Sequence, residues 1–144
     1  MRRLFVPALL LALFALSGCQ SDLLFRNDHR ITVVEPVDFA KVHSPVTIRW
    51  VTREFSAPAD GHFELFLDRD PQPPGETLQH YFAGQSLQFI WTTDQTTFRI
   101  PYFPLADPNA PKEEQQHHTV TVILVDSAGR RIGETSGFVE FNLT

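Results

Sequence analysis

Cysteine is nearly absent from this chain of 144 residues: Cys19 is the only one. A lone cysteine excludes an internal disulfide, so the fold has to stand on packing and hydrogen bonds. Lysine is scarce too, with only Lys41 and Lys112, and Lys+Arg number 12 against 17 Asp+Glu, a formal charge of −5. An acidic chain without a basic run argues against nucleic acid, whose affinity comes mainly from phosphate neutralisation. It argues equally against electrostatic docking on anionic lipid heads. There is no long hydrophobic run. The apolar stretch from Leu4 to Leu16 is interrupted by Pro7 and falls short of the roughly 20 residues that span a bilayer. Internal repeats, heptads and long amphipathic helices are missing. So are a nucleophile elbow and a Gly-rich phosphate loop.

The amino-terminal segment carries the most specific signal. Arg2 and Arg3 precede the apolar stretch, which closes on Leu16-Ser17-Gly18-Cys19. A charged start, an apolar middle and small residues at the end describe an export signal over residues 1–18, removed from the mature protein. The order Leu-Ser-Gly-Cys resembles the lipobox of bacterial lipoproteins. That resemblance implies cleavage before Cys19, a diacylglycerol on its thiol and an acylated amino terminus, with palmitate the expected chain. Two or more acyl chains hold a protein durably, because each buried methylene contributes about 0.8 kcal/mol. In the same family an Asp after the Cys retains the protein at the inner membrane. Here Gln20 and Ser21 follow, which implies the outer membrane, facing the periplasm, in a Gram-negative source. In a Gram-positive source the anchor implies the outer face of the only membrane.

Residues 19–30 read as a lipidated tether, reaching roughly 40 Å when extended. Its Leu23-Leu24-Phe25 patch either dips into the membrane interface or packs on the domain. Residues 31–144 form one domain, near the commonest size. Without Arg2 and Arg3 the mature chain has ten basic residues against seventeen acidic ones, a formal −7. The whole chain has thirteen Phe and two Trp; eleven of the Phe and both Trp follow residue 18 and supply large apolar faces.

From Ile31 the pattern is a series of short strands. Ile31-Thr32-Val33-Val34 is β-branched and closes at Pro36. Val46, Ile48 and Trp50 alternate with Thr47 and Arg49, while Phe63, Leu65 and Leu67 alternate with Glu64, Phe66 and Asp68. Period-two alternation marks strands with one buried face. Leu78–Phe82, Leu87–Trp91, Thr96–Ile100, His118–Asp126 and Arg131–Leu143 read as further strands. The Arg69–Gly75 segment is a Pro-rich loop. Pro101–His117 is the longest irregular piece, with a helical turn expected over Pro111–Gln115. Trp50, Phe63, Phe89, Phe98 and Phe141 are the expected aromatic core. About seven or eight strands in this length predict an all-β, two-layer antiparallel sandwich. The stretch His118 to Arg130 resembles the penultimate strand and hairpin of bacterial immunoglobulin-like and fibronectin-III-like modules. Val33-Val34-Glu35-Pro36-Val37-Asp38 followed by Val46–Trp50 resembles their opening strands. The resemblance implies a single immunoglobulin-like β-sandwich and is nearly silent on function.

Few residues suggest chemistry. His117 and His118 are adjacent, so in a strand they point to opposite faces and cannot easily share an ion. The histidines at 29, 43, 62 and 80 lack ligand spacing. Asp68 and Asp70, with Asp126 from another strand end, are a candidate calcium site, although calcium takes six to eight oxygens; the alternative is a solvated turn. No cofactor is expected. Some aromatics look surplus to the core. Phe66 lies opposite its strand's expected buried face, and Tyr81-Phe82 and Tyr102-Phe103 are adjacent pairs. Phe66, Tyr81, Tyr102 and Phe103 are therefore the candidate binding surface; the alternative is cover by the Pro101–His117 loop.

The expected function is a lipid-anchored, non-catalytic binding or assembly module of the cell envelope, with an envelope protein as partner. A glycan stacking on exposed aromatics is the alternative, and an envelope hydrolase with an unrecognised site a second one. Cys19→Ser is expected to abolish acylation and release a folded protein from membranes. Palmitate labelling and membrane fractionation measure this, and a variant still sedimenting with membranes would sink the lipobox reading.

Overall fold

The alternation expected in Val46–Thr52 is realised residue by residue. Val46, Ile48 and Trp50 are buried, while Thr47, Arg49 and Val51 are exposed. The computed structural model describes residues 30–105 and 107–144. The expected signal segment 1–18 and residues 19–29 of the expected tether, Cys19 included, lie outside the described residues. Among those described, the strands are β1 (Ile31–Glu35), β2 (Ala40–Val42), β3 (Thr47–Thr52), β4 (His62–Leu67), β5 (Ile90–Thr93), β6 (Thr97–Arg99), β7 (His117–Val125) and β8 (Arg131–Leu143). Two helical turns interrupt them: α1 (Leu78–Tyr81) between β4 and β5, and α2 (Lys112–Gln116) just before β7.

The strands form two sheets, ordered β1-β3-β6 and β2-β8-β7-β4-β5. The chain is an all-β sandwich of these two sheets. One pairing departs from the antiparallel expectation: β2 runs parallel to β8, with Ala40 opposite Phe141 and Val42 opposite Leu143. The chain keeps its direction as it leaves β1 and crosses to the other sheet. The Phe39 N–H then donates to the Glu140 carbonyl at 2.7 Å and starts the new pairing. A three-residue strand is too short to show a period in sequence.

Between the sheets lies one apolar core. Ile48 and Trp50 from β3 meet Phe63, Leu65 and Leu67 from β4, Val120, Val122 and Leu124 from β7, and Val139 and Phe141 from β8. Trp50 meets Phe63 edge-on at 5.3 Å, and Phe55 tilts against the same ring at 5.4 Å. Of the expected aromatic core, Trp50, Phe63 and Phe141 are fully buried, and Phe89 and Phe98 pack against it partly buried.

The segment Leu78–Phe82, expected as a strand, is instead the helical turn α1. The Thr77 hydroxyl caps it by accepting from the His80 N–H at 3.2 Å, a standard N-cap. Leu78 and Phe82 are four residues apart and so share a helical face; both are buried. Helix α2 falls where the turn was expected, with Pro111 at its N-cap and Glu113 and Glu114 in its first turn, which suits the helix dipole.

Two glycines permit close approaches. Gly61, entering β4, has φ +140°, and a Cβ there would sit 1.9 Å from the Val125 carbonyl oxygen. Gly137 on β8 lies under β1, where a Cβ would meet Val33 Cγ2 at 3.0 Å. Gly129, in the turn before β8, has φ +75° with nothing within 4 Å. Gly61→Ala is expected to cost about 3 kcal/mol or more, because the carbonyl clash adds to backbone strain. Gly129→Ala should cost about 1 kcal/mol from strain alone. Urea unfolding of both variants checks the order, and equal costs would contradict the close approach.

Candidate functional site

The strand register gives the sandwich two ends. Arg30 leads into β1, whose Ile31 lies opposite Thr52, and the Arg30 carbonyl accepts from the Arg53 N–H at 2.7 Å. The same end carries the entry to β4, where His62 lies opposite Val125, and the turn from Asp126 to Arg130. The opposite end holds loop 36–39, the exit from β4, the entry to β5 and the long segment 100–111. Arg30, the last residue of the expected tether, therefore lies at one end, and the long segment 100–111 at the other.

Large apolar side chains are exposed at this far end. Val37 is 70%, Phe39 65%, Tyr102 48% and Leu105 99% exposed. Loop 36–39 is braced: Phe39 N–H donates to Glu140 O, Glu140 N–H to Asp38 Oδ1 at 2.9 Å, and Ala40 N–H to Val37 O at 3.1 Å. Phe39 has φ +59°, a left-handed conformation that a bulky residue adopts only at a cost. So neither burial nor backbone preference accounts for a phenylalanine at this position. Tyr102 stands edge-on to Phe89 at 5.4 Å and to Trp91 at 6.1 Å.

The four aromatics expected to form one surface do not come together. Phe66 is a correction: it is fully buried, on the outer face of the five-stranded sheet, beneath Leu78 and Phe82 and beside Ile123, Val125 and Ile90. Its cover is α1, not the Pro101–His117 loop. Tyr81 is half-exposed on α1, with its ring edge-on to Phe82 at 4.8 Å. This segment starts beside the tether end, where Thr77 bridges Arg130. Phe103 turns inward, partly buried against His118 at 4.8 Å and Phe141 at 6.1 Å. Only Tyr102 of the four projects from the far end. Val37, Phe39 and Leu105 were not singled out from sequence, because loop residues have no period to mark exposure.

The candidate calcium ligands are separated. Asp68 follows β4 at the far end and Asp126 follows β7 at the tether end. Asp68 accepts from His118 Nδ1 at 2.7 Å and from the Thr119 N–H at 2.8 Å. Asp126 accepts from the Ala128 and Arg130 N–H groups, each at 2.9 Å. Both carboxylates organise their own strand ends. His117 and His118 diverge, His117 toward Glu140 at 3.3 Å and His118 toward Asp68. Among the described residues no three His, Cys, Asp or Glu are grouped to hold a metal.

A polar group that sequence reasoning missed lies under the loop after β4. Glu64 and Gln72 are both buried, and Gln72 Nε2 donates to Glu64 Oε2 at 2.5 Å. Burial pushes the Glu64 carboxyl above its usual range, against the opposing pull of the Gln72 hydrogen bond and of His62. Arg131 Nη1 donates to the Gln72 carbonyl at 2.8 Å, and burial lowers the Arg131 guanidinium against the pull of Glu134. Glu64 gives no sign of this in sequence, since it occupies the face of β4 expected to meet solvent.

Compared with known protein families, curated proteins and solved structures, the chain has no match. Phe66→Ala is expected to cost about 3–5 kcal/mol, as for a buried phenylalanine. Tyr102→Ala should cost about 1 kcal/mol or less, as a surface change. Chemical denaturation of the two variants measures both; a stable Phe66→Ala would remove α1 as its cover.

Proposed function

We propose that this protein is a lipid-anchored module of the bacterial cell envelope that binds another envelope protein through the loops farthest from its anchor. Cys19 carries the lipid, and the signal before it directs export. The observation that carries the reading is Phe39: an exposed phenylalanine, on left-handed backbone, held by braced hydrogen bonds at the end opposite Arg30. Strain kept at an exposed side chain points to a use for that side chain. Val37, two residues before Phe39 in the same loop, and Leu105 in the segment after β6 are also exposed, and aromatic and aliphatic anchors of this kind supply most of the energy of protein interfaces. Geometry supports the reach. Nine-residue β7 spans about 30 Å, and the tether adds up to roughly 40 Å. A protein partner is favoured over a glycan because Val37, Phe39 and Leu105 carry no polar group for sugar hydroxyls; only Tyr102 does.

Photoreactive phenylalanine analogues at Phe39 and Leu105, in the full chain in its native membrane, are expected to crosslink one defined protein. The same analogue at Ser127, at the tether end, should not. Phe39→Asn, which suits left-handed backbone, should leave stability unchanged or raise it by up to about 1 kcal/mol while abolishing the adduct. Equal crosslinking from both ends would overturn the reading, and polysaccharide binding lost on Tyr102→Ala would replace the protein partner with a glycan.

A further inference from the structure

Residues 69–89 form a strap across the outer face of the five-stranded sheet. Its first half is tied to β8: Gly75 N–H donates to Arg131 O at 2.9 Å, and Arg131 N–H to Glu76 O at 3.0 Å. Its second half lays Leu78 and Phe82 on Phe66 and Ile123. Arg69 sits 4.3 Å over the Phe82 ring and donates to Ser86 O at 2.7 Å. The Leu67 N–H, donating to Phe89 O at 3.0 Å, closes the far end.

Among the described residues, the one side chain-to-side chain hydrogen bond between the strap and the sheet beneath it is that from Gln72 to Glu64; Arg131 of β8 adds a bond to the Gln72 carbonyl. Gln72 is 0% and Glu64 4% exposed. Gln72 Oε1 is buried without a partner, and it belongs to the same amide that donates at 2.5 Å. An ionised Glu64 would leave a buried charge with one donor and, beside it, an orphaned acceptor; both are costly. One proton on the carboxyl removes both costs. The acid O–H then donates to Gln72 Oε1 while the Gln72 amide donates to the other acid oxygen, closing a ring of two hydrogen bonds.

We propose that Glu64 and Gln72 form a proton-held latch: with its proton, Glu64 fastens the strap over the sheet, and loss of that proton to water frees the strap and uncovers Phe66 and Ile123. The neighbours leave Glu64 as the group that decides. Thr92 flanks it from β5 and Ile123 from β7, neither of which titrates. Along β4, His62 is bonded to Asp94 and is the neighbouring charge that opposes the effect of burial on Glu64. From β8, Arg131 is engaged by the Gln72 and Glu134 carbonyls. On the strap, Arg69 is turned to Phe82, and Glu76 pairs with exposed His80 at 3.6 Å; Asp70 lies nearer the far end. The upward push of burial on the Glu64 carboxyl agrees with this. The sign follows: a group raised in the folded state stabilises fully at low pH, and its contribution is lost as the pH rises through the raised range.

The test follows the carboxyl carbon of Glu64 by NMR, and amide exchange at Gly75 and Arg131, on the full chain in detergent from mildly acidic to mildly alkaline pH. Glu64 is expected to titrate above the other glutamates. Protection of the two amides, corrected for intrinsic exchange, should fall with the same midpoint by roughly tenfold or more, the scale of one buried hydrogen bond. Glu64→Gln, which keeps two hydrogen bonds to Gln72 without a titrating proton, should hold protection constant. Titration of Glu64 with the other glutamates would overturn the latch. So would protection that ignores its titration, or a pH-dependent strap in Glu64→Gln. If that variant does not fold, the wild-type titration and exchange decide alone.

Discussion

Leu65 and Phe66 leave β4 in opposite directions, and both are fully buried. That double burial is the constraint around which the rest of the domain is arranged. A strand of an antiparallel sheet with one solvated face needs a single cover; β4 needs two. On the inner side the three-stranded sheet supplies it, with Trp50 edge-on to Phe63. On the outer side the long β4–β5 connection supplies it, folding into α1 to set Leu78 and Phe82 on Phe66. Ordering so long a connection opposes folding. Pro71, Pro73 and Pro74 reduce that cost by narrowing the freedom of the unfolded chain, and the reciprocal backbone bonds with β8 hold the result.

What could be read from sequence follows from the same asymmetry. Strands facing one cover leave a period of two, and β3, β7 and the inner face of β4 were legible on that ground. Two covers erase the alternation: along β4, Phe63 to Leu67 are all buried, and Phe66 consequently read as a surface residue. The segment Leu78–Phe82 was misread because its apolar residues are few. Its helical signals were Thr77 as cap and the four-residue spacing of Leu78 and Phe82. The candidate site was less legible still. Tyr102 drew notice as one of an adjacent aromatic pair, and it does face outward. Phe39 and Leu105 did not, because exposure in a loop is decided by its bracing bonds, and those join residues about a hundred positions apart, such as Asp38 and Glu140.

Polar groups under the strap follow a different rule from the core. Glu64, Gln72 and Arg131 could be replaced on β4, the strap and β8 by apolar residues of similar volume, often without loss of stability. They instead give the strap a fixed register, since an amide and a carboxyl meet in one way while apolar chains slide. Arg131 adds to this by bonding the Gln72 carbonyl and thereby the strap's backbone. Its Nε is buried without a partner, so register here is obtained at some expense of hydrogen bonding. The apolar half of the strap supplies cover and the polar half supplies position.

The two ends of the sandwich divide along similar lines. At the tether end the close approaches are met by residues that suit them: Gly61 against the Val125 carbonyl, Asp126 capping its own turn, Gly129 in left-handed backbone. These three positions carry residues their local geometry favours, the consistency expected where selection acts on folding; Glu54, with φ +55° just after β3, departs from it. At the far end Phe39, Asp68 and Phe89 all take left-handed backbone; Phe89 packs partly buried against the core, and Phe39 is the exposed phenylalanine. Phe39 occupies left-handed backbone that glycine or asparagine would take at less cost, and its side chain buries little in return. Isolated apolar residues on a surface need no explanation; one that adds backbone strain and sits in a loop braced by three hydrogen bonds does. The local misfit and the exposure fall on the same residue, at the end opposite the entry of the tether. Under the proposed function, a contact made outside this chain would account for both.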